Sequence, residues 1–471
     1  MFRKKIYNLW QGGKNMTMKK SIFLPVETMS REYQYKIVLA TKLANEGFRV
    51  VLGHAPHLDK IKSYFPPGAY IGKNLFKTLF PTELSIYKSY KDNGWSLIHL
   101  DEEGAIFAGG KEEWKQELNG RLDPRVLGSD DKVLCWGEFQ AEHYRTVVAQ
   151  MSAPKIVATG QPKFSYNDLL YKQVLDLDIS FNEKFILFNM NYSVFNDQLG
   201  ISYFLETNDS YRTDEIENFE YKRSIWLDQL SNFGSILSII QRMLKDECFN
   251  DFKFVVRPHP AENDCIYKTF FEKNERVIVT NCHTAVEWSK KAYCTIHDGC
   301  TTGVEAYLSG CKVIHYREQF NHEAVINVIP NSVGYNATSY SELKKIILGE
   351  NKNDILKNKE LCHMMISNFD KTLNSFQRVV DETVITLSKK KAGYVSKKLF
   401  VHDFLHKIIS LVKYYVRYAI PSKQALYIKE KKKFPGFKSK DVYSLIKKVN
   451  SSGVNVDVVK FAKEYIIIEK V

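Results

Sequence analysis

The chain has 471 residues, 44% apolar and 13% aromatic, and a formal net charge of +13. That is more than one hydrophobic core usually holds, so two or three domains are expected, and no run of about eighteen apolar residues offers a membrane-spanning helix. The eight cysteines show no CxxC spacing, and Cys135, Cys294 and Cys311 sit in apolar strand-like runs, which points to reduced, buried thiols and a cytoplasmic compartment rather than to disulfides or a cysteine metal site.

The charge is unevenly placed. Residues 389–471 hold 20 Lys/Arg against 6 Asp/Glu, a net +14 that accounts for the whole positive excess. A near-neutral body with a basic, aromatic tail suggests an anionic surface as neighbour. No nucleic-acid motif accompanies the basic residues, so nucleic acid is not an expected partner.

Taken in order, residues 1–18 carry Arg3, Lys4 and Lys5 but no apolar stretch of a secretory signal, and read as a basic tail. A first α/β domain is expected over 19–175. Its strands are predicted at 21–26, 48–52, 96–100, 132–136 and 155–159, and its helices at 31–45, 81–91 and 139–150. A second such domain is expected over 176–388. Strands are predicted there at 184–188, 252–256, 277–279, 293–296 and 312–315, and helices at 226–244, 339–348 and 353–387, the last read as crossing back toward the first domain. A polar insertion is read over 206–222. Two doubly wound, Rossmann-like halves with polar clusters at their strand ends imply a ligand cleft between them. Neither GxGxxG nor GxxxxGK[ST] is present, so an NAD fingerprint and a P-loop are excluded.

The stretch 292–317 organises the reading. A short strand runs into His297-Asp298-Gly299-Cys300-Thr301-Thr302-Gly303 and then into a helix. Free amides and a positive dipole end come together at such a turn, which suits an anion. Glu305, one helical turn on, can accept from a sugar hydroxyl. An ordinary βα turn with a capping Thr has the same composition. Arg257-Pro258-His259-Pro260 follows another strand. Its prolines stiffen the loop, and its guanidinium and imidazole suit a phosphate or carboxylate; Glu262 lies just beyond. Gly160-Gln161-Pro162 has the same shape, and Asn189 and Asn191 end a further strand.

Asp101-Glu102-Glu103-Gly104 puts three carboxylates at one strand end. Crowding is expected to raise their pKa values, and the glycine to let a ligand approach; a solvated acidic turn is the other reading. Trp136-Gly137-Glu138 offers a ring and a carboxylate. His54, His57, His143, His283 and His322 have no ligand spacing and read as surface or satisfied histidines.

Asp101-Glu102-Glu103-Gly104, Trp136-Gly137-Glu138, Gly160-Gln161-Pro162-Lys163-Phe164, Phe188-Asn189-Met190-Asn191, Arg257-Pro258-His259-Pro260 and the run from His297 to Glu305 occur in this order. Together they resemble bacterial surface carbohydrate biosynthesis proteins, which are similar to the capsule-type retaining Kdo transferases and pseudaminic acid transferases. The resemblance spans roughly 21–317. It implies a GT-B fold and a CMP-activated 3-deoxy-2-ulosonic acid donor, passed to a surface glycan or lipid-linked glycan, as in capsule or lipopolysaccharide assembly.

It further implies that Gly160-Gln161-Pro162 and His259-Pro260 are the Gln-Pro and His-Pro motifs, with His259 on the CMP phosphate. The family's Glu-Asp-Gly motif reads Glu102-Glu103-Gly104 here. Glu103 thus stands at the nucleophile's place, with Glu102 as the alternative. Glu102 or Glu138 would act as base. Gln161, Asn189, Asn191, Arg257, His259, Glu262, His297, Asp298, Thr301, Thr302 and Glu305 would line the donor site. No metal and no other cofactor is expected, since CMP is a good leaving group. The competing expectations are another GT-B enzyme (a polyol-phosphate transferase or a nucleotide-sugar epimerase) and a non-catalytic assembly protein.

In the basic extension, 389–471, the segment 399–420 is aromatic and amphipathic and carries His402, His406, Lys407, Lys413 and Arg417 close to Lys431-Lys432-Lys433. It reads as a membrane-interface element, and so as peripheral association with the inner face of the cell membrane. A helix packed on the body with a basic solvated face is the other reading. Residues 441–471 are apolar enough to form a small helix-and-strand appendage.

Overall fold

The computed structural model describes residues 17–73, 81–105, 107–149, 154–175, 181–206, 216–318, 327–350 and 359–471. The N-terminal tail and most of the predicted insertion at 206–222 lie outside them. The chain divides into two compact units. One comprises residues 1–105, 115–176 and 363–471, the other residues 106–114 and 177–362.

The first unit opens with β1 (Ser21–Val26), α1 (Met29–Asn45), β2 (Arg49–His54) and α2 (Ala55–Ile61), followed by β3 (Ala69–Gly72) and α3 (Pro81–Asp92). Then come β4 (Ser96–Leu100), α4 (Lys111–Arg121; its first turn is counted with the second unit), β5 (Lys132–Cys135), α5 (Glu138–Val147) and β6 (Lys155–Ala158). All six residues of β1 are buried, as expected of a parallel strand covered on both faces. Gly68 is required just before β3, because a Cβ there would lie 1.7 Å from the Ser21 carbonyl oxygen.

The second unit contains β7 (Phe185–Asn189), α6 (Ile216–Lys245), β8 (Lys253–Arg257), β9 (Val277–Val279) and α7 (Ala285–Lys291). It continues through β10 (Cys294–His297), α8 (Thr301–Leu308), β11 (Val313–Tyr316), β12 (Tyr335–Ala337) and α9 (Tyr340–Leu348). Its six strands lie in the order β12-β11-β10-β7-β8-β9, all parallel. The long α6 begins ten residues before the predicted 226, within the segment read as an insertion.

The chain then returns to the first unit with α10 (Ser375–Leu387), α11 (Lys398–Ala419), α12 (Pro421–Lys433), α13 (Ser439–Asn450), β13 (Val456–Phe461) and β14 (Tyr465–Lys470). Residues 363–388, counted with the second domain as helices that cross back, pack in the first unit, and 389–471 is no separate appendage. β14 pairs antiparallel with β2, extending the sheet to the order β13-β14-β2-β1-β3-β4-β5-β6. Arg49 on β2 is fully buried and bonds Glu469 of β14 at 2.6 Å, which fixes that register. The architecture is α/β, with two Rossmann-like parallel-sheet units and a helical C-terminal part.

Candidate functional site

Each unit gathers its polar side chains at the carboxyl ends of its parallel strands, where backbone groups run out of ladder partners and ligands usually bind.

In the first unit the cluster stands at the end of β4. The Asp101 carboxylate accepts from the backbone N–H groups of Glu102 (2.7 Å) and Glu103 (3.1 Å), which curls the chain sharply after the strand. The Asp101 carbonyl accepts from Trp136 Nε1 at 2.8 Å and Gln161 Nε2 at 2.7 Å. Gln161 is fully buried and its backbone is bracketed by Asn368. Its amide is spent on holding this turn, not on offering a contact to a donor sugar. Gly104 is explained by packing, not ligand approach: a Cβ there would lie 2.9 Å from the Trp136 ring.

The three carboxylates differ in surroundings. Glu102 is buried, and its Oε1 meets Lys36 Nζ at 2.7 Å and the Tyr35 hydroxyl. Lys36 also meets Glu32 and the Pro25 carbonyl, each at 2.6 Å. Glu103 is 37% exposed and lies between Arg31 (3.4 Å) and Arg121 (3.6 Å). Asp101 also faces Arg121, at 3.7 Å.

The expected upward pKa shifts are reversed. Burial pushes each carboxylate up, but nearby basic groups outweigh it. Arg121, His99 and Lys73 act on Asp101, Lys36, Lys163 and Lys73 on Glu102, and Arg31, Lys73 and Arg121 on Glu103, so all three lie below the usual range. Glu103 is therefore an ionised, partly open carboxylate, suited to attack on carbon and poorly suited to proton donation. Glu102 is ionised but occupied by Lys36 and Tyr35. Glu138 stands apart: it is exposed in the first turn of α5 and pairs with Arg145 at 3.0 Å.

In the second unit the parallel register sets four polar residues side by side along the sheet edge. His315 pairs with His297, His297 with Asn189, and Asn189 with Arg257. Equivalent ladder positions point to one face. Asn189 is buried with no hydrogen bond to either side-chain atom, and both ring nitrogens of His297 and Nε of Arg257 are likewise unpartnered. Such groups are costly to bury, and a row of them indicates a surface that a polar ligand completes. Burial, then His315, pushes His297 down to about 3, so it is a neutral imidazole. Its ring lies against Gly303 in the first turn of α8, where a Cβ would come within 2.4 Å. Burial, only partly offset by Glu287 and Glu305, lowers Arg257 to about 10, still charged at neutral pH.

The loop after β8 is built around Glu262. This carboxylate is fully buried and accepts from the backbone N–H groups of Tyr192 (2.8 Å) and His259 (3.1 Å) and from the Tyr267 hydroxyl. Burial raises it to about 7. Glu262 is thus the loop's internal support. His259 Nδ1 accepts the Ala261 N–H at 3.2 Å, which leaves Nε2 to carry the proton of the neutral ring.

Asp298 bonds Arg317 Nε at 2.9 Å, and Arg317 is gripped in turn by Asp228 at 2.8 and 2.9 Å, so Asp298 anchors the strand end. Thr301 is buried and Thr302 half-buried in the first turn of α8, and Gly299 turns the chain with φ +64°. Glu305, one helical turn on, is half-buried, as is Asn191 just after β7.

Of the cations around these carboxylates, Arg31, Lys36, Lys73 and Arg121 lie outside every quoted motif. Lys163 lies inside a quoted motif, and bonds the Glu102 carbonyl at 2.8 Å beneath the Trp136 ring; the others arrive from distant segments.

No known protein family matches the chain, and no curated protein matches it. Similar solved structures include an S. aureus MnaA–UDP co-structure, 14% identical, covering 80% of this chain and 100% of that one at a TM-score of 0.46. A UDP-GlcNAc 2-epimerase of Methanocaldococcus jannaschii, in complex with UDP-GlcNAc and UDP, is 12% identical, covering 78% and 100% at 0.46. The wall teichoic acid polymerase TagF is 12% identical, covering 87% and 94% at 0.41. At these identities and scores the similarities assign neither activity nor substrate.

Proposed function

We propose that the protein is a retaining glycosyltransferase of the GT-B type that moves a 3-deoxy-2-ulosonic acid, such as Kdo or pseudaminic acid, from CMP to a glycan or lipid-linked glycan. The observation that carries the reading is the separation of roles at the end of β4. Of the adjacent Glu102 and Glu103, one is locked by Lys36 and Tyr35, and the other is ionised and open.

In this reading Glu103 attacks the anomeric carbon, and the bond from that carbon to the phosphate oxygen breaks with its electron pair leaving on CMP. His259 through Nε2, Arg257 and the first-turn amides of α8 take the developing phosphate charge. The acceptor hydroxyl then attacks the same carbon, Glu103 departs as carboxylate, and the acceptor proton passes to a base. Glu138 is the base candidate left exposed. Two inversions give retention. Incubation with a panel of CMP-ulosonates followed by intact-protein mass spectrometry tests this. A one-sugar mass gain that is kept in Glu102→Gln and lost in Glu103→Gln is expected. Nucleotide release without an adduct on the wild type would favour a transferase or epimerase that does not use Glu103 as nucleophile.

The peripheral membrane reading rests on α11. No helix among the described residues is long and apolar enough to cross a membrane. Yet Val401, Phe404, Leu405, Ile408, Val412 and Tyr415 of α11 are all exposed and lie on one helix face, the kind of contiguous apolar surface that marks an interaction site. Lys407 and Lys413 flank it, and Lys431–Lys433 end α12. Basic residues beside an apolar helix face fit an anionic bilayer surface, where a lipid-linked acceptor would also reside. Co-sedimentation with phosphatidylglycerol-containing vesicles is expected, and its loss in Phe404→Glu. Equal binding by both proteins would refute the assignment.

A further inference from the structure

The side of α11 opposite its exposed apolar residues carries His402, Asp403, His406 and Ser410, all half-buried. An ordinary amphipathic helix buries its apolar side, so this one is reversed, and the imidazoles it turns inward need a reason. Behind them stands His57 of α2, 4% exposed, with no hydrogen-bond partner on either ring nitrogen. This histidine is neither at the surface nor satisfied, contrary to the sequence-based expectation. His402 Nδ1 and Asp403 Oδ1 are also buried without a hydrogen bond, 3.7 Å apart. Ligand atoms of His57, His402 and Asp403 all lie within 4.8 Å of one another.

We propose that His57, His402 and Asp403 form a site for a first-row divalent transition metal ion, best represented by zinc, which pins α11 to α2. Two imidazoles and one carboxylate suit such an ion and not calcium or magnesium, which take oxygen ligands. In a tetrahedral site of this kind the ligand atoms lie about 3.3 Å apart, so closure brings the His402–Asp403 pair in by a few tenths of an ångström and the widest pair by up to about 1.5 Å, within reach of side-chain rotation. The support for the ligands is already in place. Asp403 turns its other oxygen, Oδ2, to the Tyr465 hydroxyl at 2.8 Å and to Lys460 at 2.6 Å, so Oδ1 is the oxygen left for the ion. Lys460 offsets part of the carboxylate charge, which tunes the site toward moderate affinity. His406 lies beside His57 with ring centroids 4.5 Å apart and closes the site from above. The site is separate from the carboxylates of β4 and supplies no step of the proposed reaction.

The test uses the full chain, stripped with EDTA and dialysed against zinc chloride. One zinc per chain is expected, with a dissociation constant of about 1 µM or tighter, and a melting temperature that rises with zinc. Asp403→Asn, which keeps shape and hydrogen bonds, and His57→Gln are each expected to weaken binding at least tenfold and to lose the zinc-dependent melting shift. Cobalt(II) added to the stripped wild type is expected to give visible d–d bands of a nitrogen- and oxygen-ligated ion, a readout that needs no variant to fold. Less than a tenth of an equivalent of zinc bound at about 10 µM, cobalt bands absent, or equal binding by wild type and Asp403→Asn would each overturn the proposal.

Discussion

Replacing Glu102 and Glu103 singly by Gln removes one charge at adjacent positions, but the two substitutions are expected to fail in opposite ways. Glu102 is buried, with Lys36 Nζ 2.7 Å away. Removing one partner of a buried ion pair typically costs about 3–5 kcal/mol. Lys36 keeps Glu32 at 2.6 Å, and Gln still offers a carbonyl to Lys36 and Tyr35, so Glu102→Gln is expected at about 2–3 kcal/mol. Glu103 is 37% exposed, and its guanidinium partners lie at 3.4 and 3.6 Å. Partners of that kind contribute up to about 1 kcal/mol, and less in salt. In thermal melts followed by circular dichroism at neutral pH, Glu102→Gln should melt about 5 °C or more below wild type and Glu103→Gln within about 2 °C of it. The same samples, offered CMP-ulosonates, should show the adduct on Glu102→Gln and none on Glu103→Gln. A Glu103→Gln protein as unstable as Glu102→Gln would refute the division into a structural and a reactive carboxylate. So would a Glu102→Gln protein with wild-type stability.

Further outcomes follow from the second unit and the packing glycines. Glu262 is raised from 4.5 to about 7 by burial, so its contribution is fully present below pH about 4.5 and lost as pH rises through about 7, up to about 3 kcal/mol; urea melts of Glu262→Gln should lack this part of the pH slope. Gly303→Ala places a methyl within 2.4 Å of the His297 ring, and calorimetric titration should show CMP binding weakened at least tenfold, at a stability cost of about 1–3 kcal/mol; unchanged CMP affinity would remove His297 from the donor site. Gly104→Ala drives a methyl to 2.9 Å from Trp136, and should blue- or red-shift tryptophan emission while lowering the melting temperature by a few degrees.

Periodicity made most of the framework legible. Strands at 21–26, 96–100 and 277–279 occur at the predicted bounds, because apolar runs closed by polar strand ends leave little room for another reading. β3 escapes the sequence reading because four residues after Pro66-Pro67-Gly68 are too short to show a period. α4 escapes it because its sequence is almost wholly polar, and with it Arg121, which reaches Asp101 and Glu103. The pairing of β14 with β2 is invisible locally, since nothing near Arg49 points to a glutamate 420 residues away.

The same limit decided the site. Strand-end motifs located the carboxylates and the Arg257 and His259 loop, but charge states depend on partners from other segments. Crowded carboxylates alone would rise in pKa; with Arg31, Lys36, Lys73, Arg121 and Lys163 they fall. Gln161, Glu262 and Asp298 carry motif positions yet spend their side chains on internal hydrogen bonds, a distinction that spacing does not encode.

The strand that completes the first sheet has a consequence for how the protein is made. A ribosome delivers β2 long before β14, and until then Arg49 has no carboxylate to face and β2 presents an open edge. The second unit, whose residues 177–362 are contiguous apart from one short piece, is fully synthesised while its predecessor still waits. Native pairing at this edge is therefore among the most sequence-distant events in folding, and slow for that reason. Pulse-labelling hydrogen exchange should find β2 protected late, after β7, β8 and β10, although it emerges first.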